Sequence, residues 1–271
     1  MDGAPEKVTV AVVGLGGMGI AAVKNLIEEG FDVTGFDKSS YYGGLWHFTE
    51  DKDTLSILES TQTNIPIERM CYTDFPFPKD TPIHCSSGDV ERYIEAYVAH
   101  FRLAPHFRLN SPITRISEIE ETGKWKIDIE GQSSQYFDKV IMATGPHVKA
   151  TAFQLEGQEN FAGEVMHSQR FKKATDYAGK RVVVAGMGNT SADIANELVG
   201  VASKVYLSHS RGAHVLPRDL KGVPATSVLT HRLIRLQGTI DWLFPRLRDF
   251  ISSRVLQNIT KASPTPSSTT S

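Results

Sequence analysis

Two short glycine-rich stretches carry residue types that can hold a phosphate. The first is Gly14-Leu15-Gly16-Gly17-Met18-Gly19, and the second is Gly186-Met187-Gly188-Asn189-Thr190-Ser191. Each follows a β-branched run, Lys7–Val13 or Arg181–Ala185, and each opens into a helical pattern. In the first stretch Gly14 lets the chain bend sharply from strand to helix. Gly16 leaves room for a pyrophosphate against the backbone, and Gly19 lets the helix lie close on the strand. The N–H groups of the turn and the dipole of the helix then attract the phosphates. A second strand, Phe31–Phe36, leads into Asp37, 23 residues past Gly14. A carboxylate there can accept hydrogen bonds from an adenosine ribose diol.

The second turn differs at two places. The same offset from Gly186 falls on His209, inside Ser208-His209-Ser210-Arg211, where there is no acid. A carboxylate would repel a 2′-phosphate, whereas serine hydroxyls such as that of Ser208 and the guanidinium of Arg211 would hold one. The second site therefore reads as one for NADP(H). Its third glycine is replaced by Ser191, a small residue. Two nucleotide turns in one chain are what a flavin needs to take hydride from a nicotinamide.

The elements that position these turns are legible in outline. The expected fold class is α/β, with two Rossmann-like nucleotide units, a small antiparallel sheet and a C-terminal helical segment. Residues 7–36 read as a strand-turn-helix-strand unit, and Arg181 to about Ser210 as its counterpart. Residues 38–88 are loop-rich, with Tyr41-Tyr42-Gly43-Gly44 and Phe75-Pro76-Phe77-Pro78; so long an irregular stretch is more often functional than idle. Asp89–Leu103 places Val90, Tyr93, Ile94, Tyr97, Val98 and Phe101 on one helical face. Trp125–Glu130 alternates as a half-exposed strand, and Phe137–Ala143 reads as one buried strand before Thr144-Gly145-Pro146. The resulting division is a first nucleotide-binding domain at 1–155, an NADP-binding unit at 156–215, a helical segment at 216–261 and a disordered tail at 262–271.

Composition excludes several classes. The 271 residues are 40% hydrophobic with a formal net charge of −2, enough for a real core and no support for nucleic-acid binding. No apolar run reaches the roughly 18 residues of a membrane span, and Met1–Lys7 has no signal-peptide core, so a cytoplasmic location is expected. Cys71 and Cys85 form no CxxC pair, which argues against a dithiol flavin reductase. The Asn-x-Ser/Thr sequons at Asn189 and Asn258 read as chance matches. No metal site is expected. Arg211–Lys261 holds nine Lys/Arg against three Asp. This segment reads as two amphipathic helices, about Ser227–Phe244 and Arg246–Thr260, split at Pro245. A basic surface for phosphate or membrane is the other reading.

Further motifs resemble the flavin-containing monooxygenases. Phe161-Ala162-Gly163-Glu164-Val165-Met166-His167-Ser168-Gln169-Arg170-Phe171 fits that family's FxGxxxHxxx(Y/F) signature. Gly43-Gly44-Leu45-Trp46 resembles its GGLW segment, and Thr63-Asn64 followed by Met70–Pro78 its TN…FPFP segment. Ala143-Thr144-Gly145 resembles its ATG segment. The related Baeyer–Villiger enzymes place Trp where Phe171 stands. The resemblance implies that Gly14, Gly16, Gly17, Met18, Gly19 and Asp37 hold FAD. Leu45 and Trp46 would line the flavin, with Thr144 beside the nucleotide, and Thr63 and Asn64 would lie at the isoalloxazine and nicotinamide. Asn64 is the expected catalytic residue. Gly186, Gly188, Asn189, Thr190, Ser191, Ala192, Ser208 and Arg211 would bind NADPH. His167 reads as a structural or hinge residue rather than an acid–base group.

The implied chemistry is oxygenation of a nucleophilic N or S, or an activated C, of a small molecule in specialised metabolism. NADPH reduces FAD, and molecular oxygen is taken up as a C4a-hydroperoxyflavin in a dry pocket. No Ser–His–Asp or paired-carboxylate device is needed. The family's remaining NADP-domain strands and C-terminal return have no counterpart in these residues. The alternative is therefore a truncated, catalytically weak nucleotide-binding protein, or an interaction partner of a full-length relative. Self-association or a partner chain would cover the apolar residues of 227–260.

Overall fold

The computed structural model describes residues 7–146, 150–151 and 153–210, with a few positions between 219 and 242. Strand β1 (Thr9–Val13) is buried along nearly its whole length, as the centre of a parallel sheet must be. Helix α1 (Gly17–Glu28) turns back over it and buries Gly19, Ile20, Val23 and Lys24. Strand β2 (Asp32–Phe36) then pairs parallel with β1, from Thr9 opposite Asp32 to Val13 opposite Phe36. The irregular stretch that follows contains a 3-10 turn at Gly44–Trp46 and one short α-helix, α2 (Ile67–Met70), and ends at α3 (Ser87–His100).

Helix α3 starts two residues before the expected Asp89. Ser86 and Asp89 form a capping box: Ser86 Oγ accepts from Asp89 N, and the Asp89 carboxylate accepts from Ser86 N at 2.9 Å. The helix buries Val90, Tyr93, Ile94, Tyr97 and Val98 as its spacing predicts. Phe101 is its C-cap. Strand β3 (Phe107–Arg108) adds to β2, and β4 (Ile113–Ile119), β5 (Lys124–Ile129) and β6 (Gln135–Phe137) form an antiparallel sheet. Strand β7 (Lys139–Met142) returns to the far side of β1, giving the parallel order β3-β2-β1-β7.

The stretch Phe137–Ala143 is thus two strands, not one. Phe137 pairs with Trp125 in the antiparallel sheet, and Lys139 pairs with Val10 in the parallel one. Asp138 is the joint. Its carboxylate accepts from Thr9 N at 2.8 Å and from Thr9 Oγ1 at 2.7 Å, and its own N–H donates to Thr9 O at 3.1 Å. These bonds hold the Asp138 pKa down at about 2. Nor is the second half buried: Met142 is exposed at the end of β7.

The second unit is smaller. Strands β8 (Arg181–Ala185) and β9 (Lys204–Ser208) pair in parallel around α4 (Asn189–Leu198). Its core is Phe171, Tyr177, Val184, Ile194 and Leu198, joined by Leu58 from the first unit. In the 216–261 segment, Asp219–Leu220 pairs antiparallel with Val223–Pro224, and Arg235, Gly238, Thr239 and Trp242 are helical. Arg211, the rest of the two expected helices, Met1–Glu6 and the tail 262–271 lie outside the described residues.

Candidate functional site

The two glycine turns fold alike. Gly14 N donates to Phe36 O at 2.7 Å, and Gly186 N donates to Ser208 O at 2.7 Å. Both first glycines have positive φ, +99° and +119°, which L side chains rarely adopt. Gly16 and Gly188 are the N-caps of α1 and α4, and both are extended. Ile20 N reaches Gly16 O at 3.0 Å, and Ala192 N reaches Gly188 O at 3.1 Å.

What differs between the glycines of the first turn is what a side chain would meet. A Cβ on Gly19 would lie 1.8 Å from Gly14 O, and one on Gly14 would lie 2.5 Å from Ala143 O. Those glycines are needed by the protein's own packing. A Cβ on Gly16 would meet nothing closer than Gly44 Cα at 3.8 Å. The space over Gly16 is therefore open, as a pyrophosphate requires. In the second turn the serine is accommodated within the turn: Ser191 is buried and its Oγ donates to Gly188 O at 2.8 Å.

The helix ends carry the same message. Neither α1 nor α4 has a side-chain cap or an acidic residue in its first turn. Their leading N–H groups face outward with the positive end of the dipole. Helix α3, by contrast, closes its own N-terminus with Ser86 and Asp89. An anion thus has two open helix ends to bind, both at glycine turns.

Asp37 does more than wait for a ribose. Its Oδ2 accepts from Leu15 N at 2.8 Å and its Oδ1 from Ser39 N at 2.9 Å, so it holds the turn against β2. Each oxygen keeps a lone pair for a ligand hydroxyl. Gly17 is half-buried and Met18 is exposed at the start of α1. Thr144 is exposed where the chain passes Gly14. Gly186, Gly188, Asn189, Thr190, Ala192 and Ser208 are exposed along the second turn.

The segment Gly43–Trp46 lies directly on the first turn. Gly43 N donates to Leu15 O at 2.8 Å, and Gly16 and Gly43 form a parallel bridge. Gly43 and Gly44 both have positive φ, and a Cβ on Gly44 would come within 2.9 Å of Gly16 Cα. Two backbones touch there with no side chain between them. Leu45 and Trp46 follow in a half-buried turn. Gly43 and Gly44, which the GGLW motif contains but the expected ligand set leaves out, are themselves site-building residues.

Thr63 is buried, with its N–H on Cys85 O at 2.9 Å, while Asn64 beside it is exposed. A second unsuspected residue, Tyr72, ties this stretch to α1: its hydroxyl donates to Gly17 O at 2.6 Å. Tyr72 N in turn donates to Tyr93 Oη at 2.8 Å, and the Tyr93 hydroxyl donates to Phe75 O at 2.5 Å. Burial pushes both phenols up, that of Tyr93 to about 12, so they stay protonated donors. Lys24, buried on α1, bonds Asp74 and Glu28. In the Phe161–Phe171 stretch, His167 Nδ1 accepts from Gln169 N at 3.2 Å, and Phe171 is buried against Tyr177. His167 here shapes the backbone.

Two phosphate-type turns on parallel α/β units, the first unit carrying a small antiparallel sheet inserted between β3 and β7, define a dinucleotide-binding flavoprotein fold. The chain belongs to the flavin-binding monooxygenase-like family, which residues 7–261 match. It is 42% identical over 229 residues to monooxygenase aurF of Gibberella zeae, covering 83% of this chain and 43% of that protein. Human flavin-containing monooxygenase 1 is 36% identical over 221 residues, covering 77% and 41%. Among solved structures, S-allyl-L-cysteine S-oxygenase from Allium sativum matches with a TM-score of 0.70 at 22% identity, over 80% of this chain and 54% of that one. OTEMO, solved with FAD and NADP, matches with a TM-score of 0.61 at 22% identity, over 73% and 38%. The chain spans less than half the length of these curated relatives. Among the described residues no helix is long and apolar enough to cross a membrane, and no cluster could hold a metal ion.

Proposed function

We propose that this chain binds FAD at Gly14–Gly19 and NADPH at Gly186–Ala192, and serves the NADPH- and oxygen-dependent oxygenation of a small nucleophilic molecule. The observation that carries this reading is the repeated turn with an uncapped helix end, open above Gly16 and flanked by Gly43–Trp46. Reduced by NADPH, a bound flavin supplies the activation of oxygen for transfer to substrate. The chain's own part is to hold and orient. The turn N–H groups offset phosphate charge, and Asp37 braces the turn and offers acceptors to a ribose. Asn64, exposed next to buried Thr63, offers an amide donor and acceptor to the reacting face. Relatives named for N-oxide formation and for S-oxygenation support a soft nitrogen or sulfur as the acceptor atom. Residues 1–155 then act as the FAD part and 156–215 as the NADP part.

The purified chain should be yellow and should oxidise NADPH faster with thiols, sulfides or amines, with little peroxide released. Colourless protein that binds only NADP would overturn the FAD assignment and leave a nucleotide-binding role. Asn64→Ala should keep its flavin and lose product; product at the wild-type rate would make Asn64 a packing residue. NADPH should be preferred over NADH. One charge-assisted phosphate contact contributes about 1.5–3 kcal/mol, so Arg211→Ala should cut the ratio of kcat/KM values by about one to two powers of ten. An unchanged ratio would remove Arg211 from the site.

A further inference from the structure

Residues 50–64 belong by sequence to the first unit, yet they are fastened to the second. Leu58 is 5% exposed and sits among Phe171, Tyr177, Val184, Ile194 and Leu198. Lys172 is 4% exposed, and its ammonium donates to Thr54 O at 2.7 Å and to Ser56 Oγ at 2.9 Å. Around these two lie polar links: Lys52 with Asp176 at 2.9 Å, Arg170 with Asp53, Lys173 with Glu50, and Ser60 with Glu197. Exposed pairs of that kind contribute little singly. The buried leucine and the buried lysine are what fix the seam, because neither can leave without a cavity or an unpaired buried charge.

The same residues are fastened just as closely at the other end. Ile57 N donates to Leu45 O at 3.0 Å, so the strand of chain beside Lys172 holds the flanking Gly43–Trp46 turn. Ser87 Oγ donates to Glu59 O at 2.7 Å, and Ser87 N to Thr61 O at 2.9 Å. Thr61 N donates to Leu58 O at 3.1 Å, and Thr63 N to Cys85 O at 2.9 Å. Between the Lys172 anchor and Thr63, backbone groups of Thr54, Ile57, Leu58, Glu59, Thr61 and Thr63 are all bonded.

We propose that residues 54–64 form a strap that couples the two nucleotide sites, with Lys172 and Leu58 as its positioning residues. One end is built into the core on which α4 and its glycine turn sit. The other end holds Leu45, next to the Gly43–Gly44 contact on the first turn, and runs on to Thr63 and Asn64. A nucleotide that orders the second unit therefore orders the first site as well, and by linkage the effect is reciprocal. The coupling rests on the nucleotide assignments above; the strap itself rests only on the contacts just given.

Two measurements test it. In the nucleotide-free protein, hydrogen exchange at Ile57, Thr61 and Thr63 should quicken by at least about tenfold in Lys172→Met, with β1 amides unchanged. Leu58→Val, a milder change that keeps the fold, should move the same amides in the same direction. Unchanged rates at those amides, or an increase spread evenly over β1 and α3, would overturn the strap. The second measurement is FAD affinity by flavin fluorescence, with and without saturating NADP⁺. In the wild type NADP⁺ should tighten FAD by at least about fivefold, and in Lys172→Met by less than about twofold, with Lys172→Arg restoring the effect. If the wild type binds both nucleotides without coupling, or if Lys172→Met retains it, the strap fails and the assignments stand. If the wild type binds neither, the assignments fail and the coupling falls with them.

Discussion

Gly16 and Gly19 are three residues apart, and the structure gives them different reasons to be glycine. Alanine at 19 would drive a Cβ to 1.8 Å from Gly14 O, and overpacking of that kind destabilises by about 1–3 kcal/mol or more. Gly19→Ala should therefore lower the melting temperature of the nucleotide-free protein. Gly16→Ala has room, since its nearest neighbour is at 3.8 Å. It should melt within about 2 °C of wild type yet lose at least about tenfold in FAD affinity, and Gly16→Val should lose flavin altogether. Full yellow colour in a folded Gly16→Val protein would sink the FAD assignment. Asp138 offers a pH test. Its bonds to Thr9 lower its pKa from 3.8 to about 2. It therefore stabilises the fold above about pH 4, and that contribution drains away as the pH falls toward 2. Urea midpoints at pH 5 and pH 2.5 should show a smaller acid loss in Asp138→Asn than in wild type. At this scale the glycine turns were legible because their geometry is set by residues five apart. The second duty of Asp37, bonding Leu15 N and Ser39 N, was not, because a carboxylate's partners depend on where the chain returns.

Among elements, the contrast is between helices that close their own ends and helices that leave them open. Ser86→Ala removes a cap on α3, and such caps contribute about 1 kcal/mol; flavin affinity should not change. Tyr72→Phe removes the hydroxyl donated to Gly17 O at the open end of α1. It should cost about 0.5–1.5 kcal/mol of stability and also weaken FAD binding, which chemical denaturation and flavin titration together would detect. If Tyr72→Phe leaves flavin affinity untouched, the tyrosine only packs. Most elements could be read from period: the 3.6-residue spacing on α3 and the alternation on β5 both survive in the structure. The break at Asp138 could not. Phe137 and Val140–Met142 are apolar on either side, so pattern alone joins them, and only the hydrogen bonds to Thr9 separate two sheets.

At the scale of the molecule, the second unit exposes apolar side chains among the described residues. Val183 is 64% exposed and pairs across the β8–β9 ladder with Tyr206, which is 43% exposed. Contiguous patches of that kind promote association. Light scattering from the isolated 271-residue chain should rise with concentration, and Val183→Lys should reduce it; a monodisperse monomer would refute this. The seam between the units was invisible in sequence, because Leu58 and Lys172 lie 114 residues apart and neither belongs to a pattern. Yet it bears on how the family can be recombined. An exchange of residues 156–210 between relatives looks modular on the linear map. It would transplant a core lacking the side chain that Leu58 supplies, and a buried ammonium whose acceptors, Thr54 O and Ser56 Oγ, stay behind. The heritable unit of the second site is discontinuous, and a working chimera must carry residues 50–60 across together with it.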